Sequence, residues 1–265
     1  MSLSILCIPK SLPPAQLAAA ARRAIEINPS NAVQSTRVAR TPMGRRGGPR
    51  RLAVLVGRRW HPSGVRLSVQ FLDSPPADLR ARILRHMNAW AKTANVQFTE
   101  TRGTGKVRIA RLDSPPDMSG YWSYVGTEIL ERPLDEPTMN LEGFTMKETD
   151  AEFRRVVRHE AGHTLGFDHE HMRRELVAKI DRRKAIKFYD EDQGWTKLEV
   201  EQQVLTPLEE SSIMGTAATD PTSIMCYHIP GRITKSGRAI PGGKDINAND
   251  FRFAGSIYPK RITRR

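Results

Sequence analysis

The sequence predicts an α+β domain, on three observations. Val65, Leu67, Val69 and Phe71 recur at every second position, the spacing of a half-buried strand, and more short strand patterns follow before residue 145. A capped helical pattern starts at Thr149 and stops at Gly166. Beyond residue 170 the pattern is irregular until a closing helix over residues 249–258.

From the N-terminus, residues 1–57 differ from the rest and read as an extension. Its Ala-rich part, from Ala15 to Ile27, predicts a helix, and Arg45 to Arg51, RRGGPRR, is a flexible basic linker by composition. The main domain covers residues 58–260. After the first strand, Ser74 and Pro75 mark the start of a helix carrying Leu79, Ile83, Met87, Trp90 and Ala94 on one face. Residues 96–98, 107–110, 122–125 and 138–141 supply further strands. In the next helix Thr149 and Glu152 form a capping box, while Val156 and Val157 supply apolar positions. The basic tail, residues 261–265, is expected to fray.

With 265 residues, 38% hydrophobic and 27% charged, the chain has the composition of a globular protein with its own core. No apolar run approaches the 18 residues or so of a membrane span. Leu3 to Ile8 is too short, and too soon followed by Pro9 and Lys10, for a secretory signal. That points to a cytoplasmic protein or to export by a non-standard route. Two cysteines, Cys7 and Cys226, do not make a disulfide framework. A net charge of +13 favours acidic partners, yet no basic stretch is interleaved with aromatics, so no specific nucleic-acid partner is predicted. No feature of the sequence specifies an oligomeric state.

The chemistry lies in HEAGHTLGFDHEH, residues 159–171. His159 and His163 are four apart on the predicted helix, so both imidazoles share one face and can hold one metal ion. Glu160 is offset from that face and suited to take the proton of an attacking water. Gly166 lets the chain turn sharply, and the turn can return His169 as third ligand. Three protein ligands leave a position open for water, as a catalytic Zn2+ ion requires. His171 falls outside this spacing and is expected to lie behind the ligands or face solvent.

Downstream, residues 223–227 read SIMCY. Metzincin peptidases have a methionine-containing tight turn beneath their zinc ligands, and Met225 suits it. Ser212-Ile213-Met214 repeats the tripeptide, but Met225 is preferred because Tyr227 follows it, where a phenol can reach the metal or a developing oxyanion. With GFDHEH after the helix, SIMCY at the turn and YWSYVG at residues 121–126, the chain resembles the astacin branch of the metzincins. The resemblance extends more weakly over residues 58–260.

The resemblance implies a metzincin-type catalytic domain in two parts. The upper part would hold a twisted mixed sheet and two long helices, ending at Gly166. The lower, irregular part would carry His169, Met225 and Tyr227 and end in the C-terminal helix. One Zn2+ ion would serve, a protein or peptide substrate would lie extended in the cleft, and the substrate would pair with an edge strand expected at residues 138–142. Glu160 would act as general base and then acid, and Tyr227 would stabilise the tetrahedral intermediate. Glu170 corresponds to the residue that contacts the trimmed N-terminus in astacins, which would make residues 1–57 a removable pro-segment. The departures are Tyr121 for a usual Cys, Cys226 for a usual His, absent disulfides and MRREL after HEH. They bear on secretion, substrate preference and activation, and leave the ligands and base untouched.

Other residues carry two readings. Cys7 is a candidate latency ligand for the open metal position, because thiolate binds zinc strongly, or a packing residue. Arg232 either lines the pocket for the residue after the cut or is a solvated loop cation. His61, His86 and His228 are expected to be structural or exposed, Cys226 to pack, and Trp60, Trp90, Trp122 and Trp195 to be core. The alternative function is a non-catalytic basic binding module with structural zinc, for which four protein ligands would be usual and Glu160 unnecessary.

Overall fold

The computed structural model describes residue 7 and residues 10–32, 57–207 and 218–260. The basic linker, Met214 and the tail fall outside these residues, as does most of the Leu3 to Ile8 stretch.

Five strands form one mixed sheet: Val65–Phe71 (β1), Val96–Glu100 (β2), Val107–Ala110 (β3), Tyr121–Ser123 (β4) and Met139–Leu141 (β5). Their order is β2-β1-β3-β5-β4. The first four are parallel neighbours, while β4 runs antiparallel to β5 with Tyr121 opposite Leu141. Every second residue of β1 is buried, as its alternation predicts. The interior strands β3 and β5 are buried at every position. The sheet corrects one expectation. The strand at residues 138–142 is not an edge, because β5 is paired on both sides; the edge beside the cleft is β4.

Two helices follow the sequence reading with shifted ends. Ala77–Met87 (α2) starts after Pro76, not at Ser74-Pro75. A residue before proline is disfavoured in the α region, so Pro76 keeps Pro75 out of the helix. The helix stops at Met87 because the Asn88 amide donates to Leu84 O and Phe98 O and accepts from Phe98 N, tying the end to β2. A 3-10 turn, Asn88–Lys92, then delivers Trp90 to the core. Asp150–Thr164 (α3) is capped by Thr149, whose hydroxyl accepts from Glu152 N. The second half of the predicted capping box is missing, because the Glu152 carboxylate accepts from Arg155 instead.

The lower part is more regular than expected. It contains Arg174–Val177 (α4), Arg182–Gln193 (α5), Lys197–Val200 (α6) and the closing helix Ala248–Ile257 (α7). The apolar faces of α4, α5 and α6 build a second core around Leu176, Tyr189, Trp195, Val204 and Tyr227, while α7 sends Ala254 and Ile257 into the main core. The four tryptophans are buried as predicted. None of the described helices is long and apolar enough to cross a membrane.

The N-terminal residues are packed onto the domain. Helix Pro14–Ile27 (α1) and the segment before it send Leu12 and Ala20 into the main core. Asn28 donates to Trp60 O at 2.8 Å, and Asn31 exchanges hydrogen bonds with both backbone groups of Arg59. Ahead of α1, Cys7 and Lys10 bridge in parallel to Tyr121 and Tyr124, so this segment lies along the β4 edge.

Behind α3, His86 is buried and accepts at Nδ1 from Arg158 Nε. Burial, and next the Arg158 charge, push its pKa down to about 4. The unfolded chain therefore binds a proton that the folded chain refuses, and stability falls as pH drops from about 6.5 to about 4. Urea titrations across this window should show a shallower loss for His86→Gln than for the parent. Parallel curves would contradict the assignment.

Candidate metal and catalytic site

The zinc-binding pattern is realised as three imidazoles on one point. His159 and His163 project from α3, one turn apart. Gly166, at φ +94°, stops the helix in a conformation that an L side chain rarely adopts, and the chain reverses to bring in His169. His169 Nε2 lies 3.1 Å from His159 Nε2 and 3.0 Å from His163 Nε2.

Those distances do not describe an ordinary hydrogen-bonded cluster. His159 Nδ1 donates to Ile224 O at 2.6 Å, and His163 Nδ1 to Phe167 O at 2.8 Å. With their hydrogens on Nδ1, both neutral rings present a lone pair at Nε2. One hydrogen on His169 would serve only one of the two. Protonation is no remedy: burial first, and then the neighbouring histidines, hold His159 and His169 well below the usual imidazole range. Burial, aided by the Arg58 and His171 charges, takes His163 to about 4 against the opposing pull of the Phe167 carbonyl. A cation is what this donor set fits. Nitrogens about 2.0–2.1 Å from zinc would stand about 3.3 Å apart in a tetrahedron, close to the spacing observed.

Glu160 points into the same space. It is buried, its Oε2 accepts from Cys7 Sγ at 3.4 Å, and its Oε1 has no partner among the described residues. Burial raises its pKa to about 8, with the Cys7 hydrogen bond and Arg155 opposing. The Cys7 thiol is itself pushed well up, by burial and then by the Glu160 charge. Cys7 Sγ and the nitrogens of His159, His163 and His169 all lie within 4.8 Å of one another. Both readings of Cys7 find support: it is buried in the second core, and its Sγ lies in the cluster with the three imidazoles.

The turn beneath the ligands runs through Met225. Cys226 N donates to Ser223 O at 2.9 Å, closing the turn, and Glu170 N donates to Met225 O at 2.9 Å. The Met225 thioether lies against Gly162, where an added Cβ would come within 2.5 Å of the sulfur. Asp250 of α7 holds the turn from below, accepting from Ser223 Oγ at 2.6 Å and Ile224 N at 2.9 Å. Asp250 thus fixes the segment whose Ile224 carbonyl orients His159. The sequence reading missed it, although the capping box of Asn247 and Asp250 is a visible signal.

Tyr227 is buried beside the ligands, with its ring centroid 4.2 Å from that of His169 and its hydroxyl unpartnered among the described residues. His171 is fully buried too, which settles it behind the ligands rather than in solvent. Glu170 Oε1 accepts from Asp220 N at 2.9 Å and Arg173 Nη1 at 3.3 Å. Cys226 is buried as expected. Arg232 is exposed and lays its guanidinium over Phe188, whose ring lines the cleft. The cleft holds a cavity of about 470 Å³ between the upper and lower parts, bounded by Cys7, Tyr121, His159, Glu160, Tyr189 and Tyr227 among others.

Comparison with known proteins agrees with this geometry. The family model for the astacin peptidases matches residues 55–228. The zinc metalloproteinase nas-27 of Caenorhabditis elegans is 31% identical over 108 residues, which are 40% of this chain and 22% of that protein. The chain therefore matches less than a quarter of that relative's length. A solved structure of myroilysin superposes with a TM-score of 0.71 at 28% identity, over 77% of this chain and 97% of that one. The hatching enzyme HCE-1 of the medaka Oryzias latipes, a zinc-protease, is alike in fold, with a TM-score of 0.52 at 16% identity over 77% and 94% of the two chains.

The contact between Gly162 and Met225 can be tested directly. Gly162→Ala forces the thioether or α3 to move, and should lower stability by about 1–3 kcal/mol and weaken zinc retention against a chelator. Unchanged melting and zinc retention would show that the turn does not support the ligands.

Proposed function

The chain belongs to the astacin family of peptidases, and from that premise we propose that it is a zinc-dependent endopeptidase with Glu160 as general base and then acid. The observation that carries the reading is the meeting of three imidazole lone pairs beside a buried carboxylate with one oxygen free. Zinc held by His159, His163 and His169 would acidify the attacking water and polarise the scissile carbonyl. Glu160 takes one proton from that water as its oxygen bonds to the carbonyl carbon. The Tyr227 hydroxyl donates to the oxyanion that forms. Glu160 then passes the proton to the amide nitrogen as the C–N bond breaks, leaving a new carboxyl group and a new amine. The substrate lies extended along the β4 edge, where its backbone adds to the sheet.

In the full chain that edge is taken by the N-terminal segment, and the Cys7 thiol lies within 4.8 Å of the imidazole nitrogens and donates to Glu160. We read this as latency: with zinc bound, the thiol proton would pass to Glu160, and the thiolate would close the fourth position beside the protonated carboxyl until the segment leaves. In this reading residues 1–57 are a pro-segment. A new N-terminus near residue 57 would meet a Glu170 carboxylate whose Oε1 already accepts from Arg173 and Asp220 N.

Two measurements test the proposal. Glu160→Gln should retain one zinc per chain and lose at least about 10³-fold in kcat on a peptide library read by mass spectrometry. Turnover at the parental rate would contradict the base assignment. Cys7→Ala in the full chain should keep its zinc and raise peptidase activity by about tenfold or more. If it loses both zinc and fold, the ion is a closed structural site with four protein ligands, and the binding-module alternative holds.

A further inference from the structure

We propose that His171 is a positioning residue for Tyr227, a role that rests on the oxyanion reading of Tyr227. The two rings stack with centroids 4.1 Å apart and planes 18° from parallel. His171 is fully buried, so the stack has no freedom to slide into solvent. Its own orientation is fixed from the far side: Nε2 donates to Gln203 O at 3.0 Å. Gln203 belongs to a π-helical turn, Glu201–Leu205, that ends the run begun by α6. The last carbonyls of a helix lack partners within it, and here one is used to aim an imidazole. Pi-helical turns recur at functional sites.

The hydrogen on Nε2 leaves a lone pair on His171 Nδ1, which has no partner among the described residues. The ring is therefore not held at both ends by hydrogen bonds; its face against Tyr227 is its second restraint. Neither His171 nitrogen joins the cluster that Cys7, His159, His163 and His169 form, and its Nε2 is turned to Gln203. What the stack controls is the side-chain rotation of Tyr227, which decides where the hydroxyl lies. An oxyanion donor acts only within about 2.7–3.1 Å of the charge. A displacement of about 1 Å at such a site costs about 10²-fold in rate.

The test is a set of double-mutant cycles in the zinc-loaded full chain carrying Cys7→Ala, with kcat, KM and zinc content measured on an internally quenched peptide. His171→Ala should lower kcat about tenfold or more with KM within about twofold and zinc unchanged. His171→Phe keeps a ring for the stack and should recover most of that loss. In a Tyr227→Phe background, which has no hydroxyl to misplace, His171→Ala should cost less than about twofold. Should His171→Ala fail to fold, the phenylalanine variant decides: kcat within about threefold of its parent supports the stack, and a tenfold loss overturns it. Equal losses from His171→Ala in both backgrounds overturn the positioning role while leaving Tyr227 as the oxyanion donor. If Tyr227→Phe alone leaves kcat at the parental value, the oxyanion reading fails and this inference falls with it.

Discussion

The structure depends on one electrostatic constraint, the crowding of His169 Nε2 within about 3 Å of the Nε2 lone pairs of both His159 and His163. Left alone, the arrangement is repulsive, and burial denies the rings the protons that would relieve it. It persists because the backbone fixes two of the three rings. The carbonyls of Ile224 and Phe167 assign the tautomers of His159 and His163, so that the free nitrogens face inward. A divalent cation converts the repulsion into coordination, which makes metal binding part of the folding free energy of this region.

Around that point the two parts of the domain divide the work. The upper part supplies α3 and, with it, His159, Glu160 and His163 at fixed spacing. The lower part supplies the orienting carbonyl, the thioether floor under Gly162 and the phenol of Tyr227. Asp250 joins them, because its carboxylate holds the turn that orients His159 while capping α7. The N-terminal segment then uses the same cleft from the other side: it occupies the sheet edge, and its cysteine reaches the base and the ligand cluster.

Much of this was legible in the residues. Local rules carried the ligands, the base and the stop at Gly166, because i, i+4 spacing and a left-handed glycine depend on the near chain alone. Met225 was separated from its decoy by the tyrosine two residues on. The misplaced edge strand shows where such rules end. Short strands at residues 121–123 and 139–141 both look like strands, and only the antiparallel return of β4 outside β5 decides which has a free side. Helix α5 was passed over because its charged residues obscure the apolar face of Ala185 and Tyr189, although Asp181 caps it through the backbone of Arg183 and Lys184. Cys7 and Asp250 act 153 and 26 residues away from their partners Glu160 and Ile224, a separation that periodicity does not register.

The claim on which everything else rests is that the ligand cluster holds zinc through three histidines, with the Cys7 thiol as fourth donor in the full chain. X-ray absorption at the zinc edge, recorded on the zinc-loaded full chain and on its Cys7→Ala variant, measures that directly. The account predicts three nitrogens at about 2.0 Å and one sulfur at about 2.3 Å in the parent, with the sulfur replaced by a light atom in the variant. A first shell without sulfur in the parent, or one with fewer than three imidazoles in either, would contradict it.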